Sequence, residues 1–501
     1  MTTGEAKHVF VSYVREDEER VDKLCAALTA AQIPYWRDRT SLAPGDQWRQ
    51  KVREAIRSEA LIFLACFSEQ SRAKPKSYMN EELTLAVEEF RQYPPETTWL
   101  IPVRFDDGEI PAWDLGAGRT LGDLNYADLF GDRYLTNMVS LMTSINTIMG
   151  PTGPDPATVR ASVEEAEASD RVAALRRLTK EMVVDSRRRI ELDDLISQEA
   201  RGILTALRDE TKYPPLLPDG SDEDRLVRCA EIVSASWQLV EPFVTSLQIA
   251  ARWADGHTLM PWISALKAIT GEALKPQGGN TTLLGLRHAP ALAATFTAAF
   301  AATGQGRWDN LKALLVDATV PKRYGGGREP LIDAENPWTP FEDWQHLLPN
   351  LVARAAKTGE DPRTALNVFK QKQQGKYHTP VAEWLHAVIR SHFLEQFADD
   401  SAYDDAFGRT EVILGLISQD LQNARAAANP ERVSVRHSRW FGRSAWQANY
   451  GGGMLAIISS EIDDAGSSWA PLATGLFGGE LARAQTAAKD YAEDFRRFRH
   501  W

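Results

Sequence analysis

The sequence predicts an α/β N-terminal domain built on a parallel sheet, followed by a large all-α C-terminal domain. Over residues 1–150, short apolar runs alternate with amphipathic helical patterns of about 10–15 residues, which is typical of βαβ units with helices on both faces of a sheet. Beyond residue 216, Ala- and Leu-rich helical segments follow one another, and alternating β-branched patterns are scarce.

The N-terminal elements follow in a regular order. Four buried strands are predicted, at Val9–Tyr13, Ile33–Trp36, Leu61–Ala65 and Trp99–Val103. Helices are predicted over about Asp17–Ala31, in the stretch that carries Trp48, Val52, Ala55 and Ile56, and over about Ser77–Phe90. Ligands of such sheets bind beyond the carboxyl ends of the strands, so the loops after the first three strands should surround any site.

Two stretches divide the chain, one rich in Pro and Gly and the other rich in Pro and acidic residues. MGPTGPDPAT begins at Met149, and YPPLLPDGSDED begins at Tyr213. They predict a first domain at 1–150, a charged helical connector at 151–215 and an all-α domain at 216–501. The connector is interpreted as a solvated helix or a coiled-coil-like arm, although its apolar heptads are not sustained.

Composition excludes some classes of protein. The net charge of −12 disfavours a protein built to wrap nucleic acid. Three widely spaced cysteines fit a reducing cytoplasm rather than a disulfide framework. No apolar run is long enough to predict a membrane span, and the first residues do not resemble a signal peptide. The sequence therefore predicts a cytoplasmic protein.

Several chemical signatures are missing. The sequence contains no P-loop, no HExxH and no GxGxxG after the first strand, and its nine histidines lack metal-ligand spacing. We therefore expect no metal site and no bound cofactor. The basic and aromatic stretch Arg432–Trp446 is the local candidate for binding an anion or nucleic acid, with a structural role as the favoured alternative.

Four motifs stand in a characteristic order. They are VFVSY (Val9–Tyr13), WRDRTSLAPGDQW (Trp36–Trp48), SEQSRAKPKSYMNEEL (Ser68–Leu83), and IPVRFDDGEIP (Ile101–Pro111) followed by NYADLF (Asn125–Phe130). With these motifs, the segment from Val9 to about Leu129 resembles the TIR (Toll/interleukin-1 receptor) domain family, and Trp36–Trp48 corresponds to its BB loop. The resemblance implies a flavodoxin-like parallel sheet.

The resemblance also implies a catalytic residue. Enzymatic TIR domains carry an aromatic residue, usually Trp, and then, four positions later, a Glu followed by Ile or Leu. Here Tyr78 fills the aromatic position, so that the catalytic position falls on Glu82 and not on Glu81. From the spacing alone, a solvated charge on an acidic helix is the favoured interpretation of Glu82, and the resemblance reverses this preference toward catalysis.

A single carboxylate suits the chemistry that the resemblance implies. The nicotinamide of NAD⁺ is a cationic leaving group and departs without a general acid. The protein must then stabilise an oxocarbenium-like ribose, which a carboxylate beside the ring can do electrostatically. NAD⁺ would be the substrate, not a bound redox cofactor.

Further positions follow from the same resemblance. The residues expected to contact NAD⁺ are Tyr13, Arg15, Trp36, Asp38, Trp48, Ser68 and Tyr78. The residues expected to shape the BB loop for TIR–TIR contacts in a homo-oligomer are Leu42, Pro44 and Gly45. Structural alternatives exist for several of them: Trp36 in the core, Trp48 on a helix face, and Arg15 as a solvated charge.

The architecture suggests a role. Leu283–Leu315 is faintly similar to helical regions fused to TIR or Sir2-like NAD⁺-cleaving domains of bacterial antiphage proteins. The leading hypothesis is an NAD⁺ glycohydrolase that acts in abortive infection, with the C-terminal domain sensing an unknown trigger or driving oligomerisation. The alternatives are a non-catalytic TIR scaffold and a TIR enzyme that produces a nucleotide messenger.

Overall fold

A computed structural model describes the chain at residues 8–37, 54–56, 60–94, 97–149, 171–217, 219–323, 326–341, 347–371, 376–428, 437–447 and 453–497. The contacts between residues divide the chain into two compact units, Met1–Arg171 and Val172–Trp501.

The first unit is built on a parallel sheet. Its strands are β1 (His8–Ser12), β2 (Tyr35–Trp36), β3 (Ala60–Phe67), β4 (Leu100–Arg104), β5 (Asp114–Gly116), β6 (Arg119–Thr120) and β7 (Ala127–Asp128). Five of them form one sheet in the order β2-β1-β3-β4-β7, and every pairing in it is parallel. The predicted α/β fold is confirmed, and this strand order matches the flavodoxin-like pattern.

Helices cover both faces of this sheet. They are α1 (Glu18–Ala30), α2 (Glu69–Arg72), α3 (Tyr78–Phe90) and α4 (Tyr134–Met149). Because side chains alternate along a strand, Val11 and Leu64 pack with α1 and α4 in one apolar cluster. Phe10 and Phe63 point to the other face and pack against α3 in a second cluster. Burial on both faces explains why β1 and β3 are almost continuously apolar.

A small hairpin lies outside the main sheet. β5 pairs with β6 in antiparallel fashion, and the turn between them places Ala117 and Gly118 at φ of 54° and 74°. Two successive residues with positive φ are typical of the tight turns that match strand twist. The sequence interpretation did not contain this hairpin, because strands of two or three residues carry no measurable periodicity.

The second unit is mostly helical. Its first residues, 172–184, are helical. The later helices are α5 (Arg189–Arg208), α6 (Asp222–Trp253), α7 (Met260–Ala273), α8 (Thr281–Leu286), α9 (Ala289–Gly304), α10 (Trp308–Lys312), α11 (Leu331–Ala334), α12 (Leu347–Thr358), α13 (Pro362–Gln371), α14 (Pro380–Ile389), α15 (Asp400–Ala428), α16 (Arg443–Gln447), α17 (Met454–Ala465), α18 (Ala470–Ala473) and α19 (Leu481–Arg497).

The core of the second unit surrounds α9. Every residue of this helix from Ala289 to Thr303 is buried. Its many alanines let neighbouring helices, chiefly α6, approach closely, while Phe296 and Phe300 pack against the rings of Phe407 and Phe393. A helix that is apolar on all sides belongs inside a large core, which accounts for the weak amphipathic pattern of this segment.

Two features of the second unit refine the prediction. The all-α prediction for this region is confirmed, since the region is mostly helical, and one short antiparallel hairpin of β8 (Thr319–Pro321) and β9 (Arg328–Pro330) lies between its helices. The helix α5, which the prediction assigned to a connector, contributes Leu192, Ile196 and Ile203 to the same core as α9. No helix among the described residues has the length and apolar character needed to cross a membrane.

Candidate functional site

The strand order creates a crevice at the carboxyl ends of β1 and β3. The chain leaves these neighbouring strands toward opposite sides of the sheet, and ligands of open α/β sheets bind at such a point. Ser12 is the last residue of β1, and Ser68 directly follows β3. Helix α3 packs against β1 and presents its first turns to the same edge.

Glu82 lies at this edge and is held by Ser12. Ser77 caps α3 by accepting a hydrogen bond from the Asn80 N–H at 3.2 Å, which fixes where the helix begins. Glu82 follows one turn later and is only 4% exposed. The Ser12 hydroxyl donates to Glu82 Oε2 at 2.5 Å. A short bond to a buried carboxylate oxygen orients that carboxylate, so Ser12 is a positioning residue that sequence reasoning missed.

A cleft of about 730 Å³ opens beside this pair. It is lined by Tyr13, Val14, Arg15, Glu16, Lys74, Lys76, Ser77, Tyr78, Met79 and Glu81. The structure thus brings together three of the residues predicted from the sequence, Tyr13, Arg15 and Tyr78. The ring of Tyr78 is 66% exposed, which is unusual for a large aromatic side chain and suits stacking on a planar ligand.

The charges of the cleft favour an anionic group. Lys74 donates to both carboxylate oxygens of Glu16, at 2.7 and 2.6 Å, and this hydrogen bonding lowers the pKa of Glu16. Arg15 and Lys76 also line the cleft, and neither forms an ion pair with another described residue. These two cations remain available for a phosphate or carboxylate of a ligand.

Ser68 is used within the protein. Its Oγ donates to Asp17 Oδ2 at 2.5 Å and accepts from the Ser71 N–H at 3.1 Å, which caps α2. Asp17 is 2% exposed, and burial raises the pKa of its carboxyl group against the opposing effect of the Ser68 hydrogen bond. Ser68 does not line the cleft and fixes the loop after β3, a role that the prediction did not contain.

Residues 9–141 match a family model described as TIR domain. The first unit contains a TIR domain. No curated protein matches the chain. The TIR family includes enzymes that cleave NAD⁺, and the matched residues of this chain include Glu82 and the whole cleft.

Trp36 lies at the edge of the TIR sheet, away from the cleft lining. Its ring stacks on Phe10 with the centroids 4.6 Å apart, and Phe10 stacks in turn on Phe63 at 5.1 Å. The ring is half-buried, so the aromatic stack holds the short strand β2 against β1. Its predicted contact with substrate stays a prediction.

Some predicted positions of the TIR domain lie outside the described residues. They are Asp38, Leu42, Pro44, Gly45 and Trp48. Within the described parts of the chain, no group of three His, Cys, Asp or Glu side chains is arranged to hold a metal ion.

Proposed function

We propose that the TIR domain cleaves NAD⁺ to nicotinamide and ADP-ribose or a cyclic ADP-ribose product, with Glu82 as the catalytic residue. One observation carries the proposal: the buried Glu82 carboxylate accepts the Ser12 hydroxyl next to a cleft that is lined by the half-buried Tyr13, by the exposed Tyr78, and by Arg15 and Lys76, which form no ion pair with the described residues. A dinucleotide contains both planar rings and a pyrophosphate, and these features complement such a cleft.

The reaction needs few groups from the protein. The bond between ribose C1′ and the nicotinamide nitrogen breaks, and nicotinamide leaves with the bonding electrons as a neutral molecule. Positive charge develops on the ribose, where the Glu82 carboxylate would stabilise it electrostatically. Water then adds to C1′ and releases a proton, or a nitrogen of the adenine attacks C1′ and closes a cyclic product.

The other cleft residues would bind the dinucleotide. Arg15 and Lys76 would face the pyrophosphate, because a dianion there neutralises both cations. Tyr13 and Tyr78 would contact a planar ring of the substrate. In this assignment the cations set the affinity for NAD⁺, and Glu82 sets the rate of bond cleavage.

Measuring the nicotinamide that the purified full-length protein releases from NAD⁺ tests the proposal. We expect the Glu82→Gln variant to lose at least ~100-fold in rate, as happens when one electrostatic group of a transition state is removed. Glu88→Gln is the matched control, since Glu88 is an exposed glutamate farther along the same helix. Absence of release from the wild-type protein, even when it is crowded or forced to oligomerise, would refute the enzymatic function.

Two further outcomes separate the alternatives. Loss of activity in Glu81→Gln, with Glu82→Gln still active, would assign the chemistry to the neighbouring carboxylate that lines the cleft. Mass spectrometry of the products distinguishes ADP-ribose from its cyclic isomer and from another nucleotide messenger.

We further propose that the protein is a bacterial antiphage effector, active as a homo-oligomer through TIR–TIR contacts. Its support is the architecture: a TIR domain is joined to a large helical unit with its own core, which is suited to sensing a trigger or driving assembly. Bacteria expressing the protein should deplete NAD⁺ and limit phage production on infection, and Glu82→Gln should abolish both effects. Protection that persists in this variant would contradict an NAD⁺-based mechanism.

A further inference from the structure

A second polar pocket lies in the helical unit. It has a volume of about 300 Å³ and is bounded by the hairpin of β8 and β9, by α11 and the residues after it, by α15, and by Arg439. We call it the hairpin pocket. Its residues are all far along the chain from the TIR domain, so it is a site of the helical unit itself.

The floor of the hairpin pocket is a fixed ion pair. The side chain of Asp333 is only 5% exposed, and Arg425 donates to its Oδ2 at 2.5 Å. Ser418 and Gln422 donate to its Oδ1, both at 3.3 Å. The carboxylate is therefore occupied by donors from α15, and its main effect is to hold the Arg425 guanidinium at the pocket. A guanidinium has five N–H donors, so Arg425 retains donors for a ligand.

The rim of the pocket is cationic. Lys322, Arg323 and Arg439 join Arg425, whereas Glu329 and Asp333 are the acidic side chains of the lining. The lining thus carries two more positive than negative charges. Lys322 and Arg439 form no ion pair with the described residues. Their positive charges, together with that of Arg425, act to lower the pKa of Glu329, but they do not outweigh the opposing effects. Burial, together with the neighbouring Asp333, raises the pKa of Glu329.

We propose that the hairpin pocket binds a small organic phosphate of about mononucleotide size. A phosphate dianion neutralises the excess positive charge, and arginine forks pair with phosphate oxygens in two parallel hydrogen bonds. The volume lies at the lower end of the range for ligand sites, about 300–1,000 Å³, which suits a compact ligand. Apolar contacts from Leu274 and Ile332 offer a surface to the organic part.

One residue of the hairpin pocket comes from a segment that has no part in the TIR cleft. Arg439 belongs to the basic and aromatic stretch Arg432–Trp446, in which the sequence suggested an anion site. In the structure Ser438 is anchored by Gln419 of α15, whose Oε1 accepts the Ser438 N–H at 2.9 Å, and Trp440 is buried in the core. These neighbours hold Arg439 in place between them.

Isothermal titration calorimetry on the full-length protein tests this site, with AMP and inorganic phosphate as probes and adenosine as the uncharged comparison. AMP should bind, and adenosine should not. Arg439→Ala and Lys322→Ala should each weaken AMP binding by about tenfold. Arg363→Ala is the matched control, because Arg363 is an exposed arginine of the same unit that pairs with Asp224 away from the pocket.

Two further variants test whether AMP binds at the hairpin pocket rather than at the TIR cleft, and whether the charge of the lining matters. The Arg15→Ala/Lys76→Ala double variant removes two cations of the TIR cleft, and AMP binding should persist in it. Glu329→Gln removes an acidic group from the lining and should keep or strengthen the binding. The proposal is overturned if AMP does not bind, if adenosine binds equally well, if the TIR double variant abolishes binding, or if Arg439→Ala behaves like Arg363→Ala.

Discussion

The ring of Tyr491 occupies the space that a side chain at position 415 would need. Gly415 lies on α15, and Tyr491 lies on the facing helix α19. A methyl group at position 415 would overlap the Cζ and Oη atoms of the Tyr491 ring. That ring has little room to move, because it is 1% exposed, its hydroxyl donates to the Trp440 carbonyl, and it stacks on Phe441.

Alanine at two helical glycines should therefore have opposite effects on stability. Gly415→Ala should lower the free energy of unfolding by about 1–3 kcal/mol through overpacking. Gly271→Ala on α7, where no atom outside the local helix backbone lies within 4 Å of the new methyl group, should raise it by about 0.5–1 kcal/mol through helix propensity. Urea unfolding followed by tryptophan fluorescence measures both changes. Equal effects of the two variants would contradict the assigned contact.

Glu411 should make stability depend on pH. Its carboxylate accepts hydrogen bonds from the backbone N–H groups of Arg443 and Ser444, at 3.2 and 3.0 Å, and it is buried. Burial raises the pKa of Glu411 to about 7 from its ordinary value of 4.5. Between these values the unfolded chain has released the proton that the folded protein keeps. Stability from this group is thus full below pH 4.5 and declines as the pH rises to about 7, by up to ~3 kcal/mol.

Glu411→Gln should remove this part of the pH dependence, since an amide does not titrate. Urea unfolding of the wild-type protein and the variant at several pH values between 5 and 8 compares the two slopes. Glu480→Gln, at an exposed glutamate of the same unit, should leave the wild-type slope unchanged. Parallel slopes for the wild-type protein and Glu411→Gln would show that this carboxyl group is already ionised across the range.

Ser12→Ala should slow NAD⁺ cleavage without weakening substrate binding. The variant removes the donor that orients the Glu82 carboxylate, so kcat should fall about tenfold while KM changes little. Initial rates of nicotinamide release over a range of NAD⁺ concentrations separate the two constants. Ser144→Ala, which alters an exposed serine on α4, is the control. A rise in KM at constant kcat would show that Ser12 contacts the substrate instead.

Arg15→Ala and Lys76→Ala should weaken the binding of NAD⁺ more than they slow its cleavage. Each variant removes one cation of the cleft, and KM for NAD⁺ should rise about tenfold with a smaller change in kcat. Added salt should raise KM less in the variants than in the wild-type protein. Lys23→Ala, on the exposed side of α1, is the matched control. Unchanged KM values in both cleft variants would exclude them from pyrophosphate binding.

The sequence predicted β1, β3 and β4 because they are apolar runs, and it predicted the two-residue β2 as the end of the longer segment Ile33–Trp36. β1 and β3 are buried on both faces, and a continuous apolar run is the pattern that such burial requires. β7, with two residues, and the hairpin of β8 and β9 are too short for any periodicity. They are defined by their pairing partners, which the local sequence does not specify.

The candidate site was predicted in part. Tyr13, Arg15 and Tyr78 were placed together because the motifs that carry them occur in a fixed order, and the cleft contains all three. The partnership of Ser12 with Glu82 was not predicted, because it joins residues 70 positions apart and depends on how α3 packs on β1. Ser68 carried a local signal that was missed: a serine followed three residues later by Ser71 resembles a helix cap.

The contact between Ser12 and Glu82 can form only late in the synthesis of the TIR domain. A growing chain presents β1 and α1 first, and it reaches α3 only after β3 has been made. Pairing of β1 with β3 and docking of α3 are non-local events that must wait for this whole segment. An emerging polypeptide therefore does not yet hold the Glu82 carboxylate in this orientation, which forms only after the chain has folded past α3.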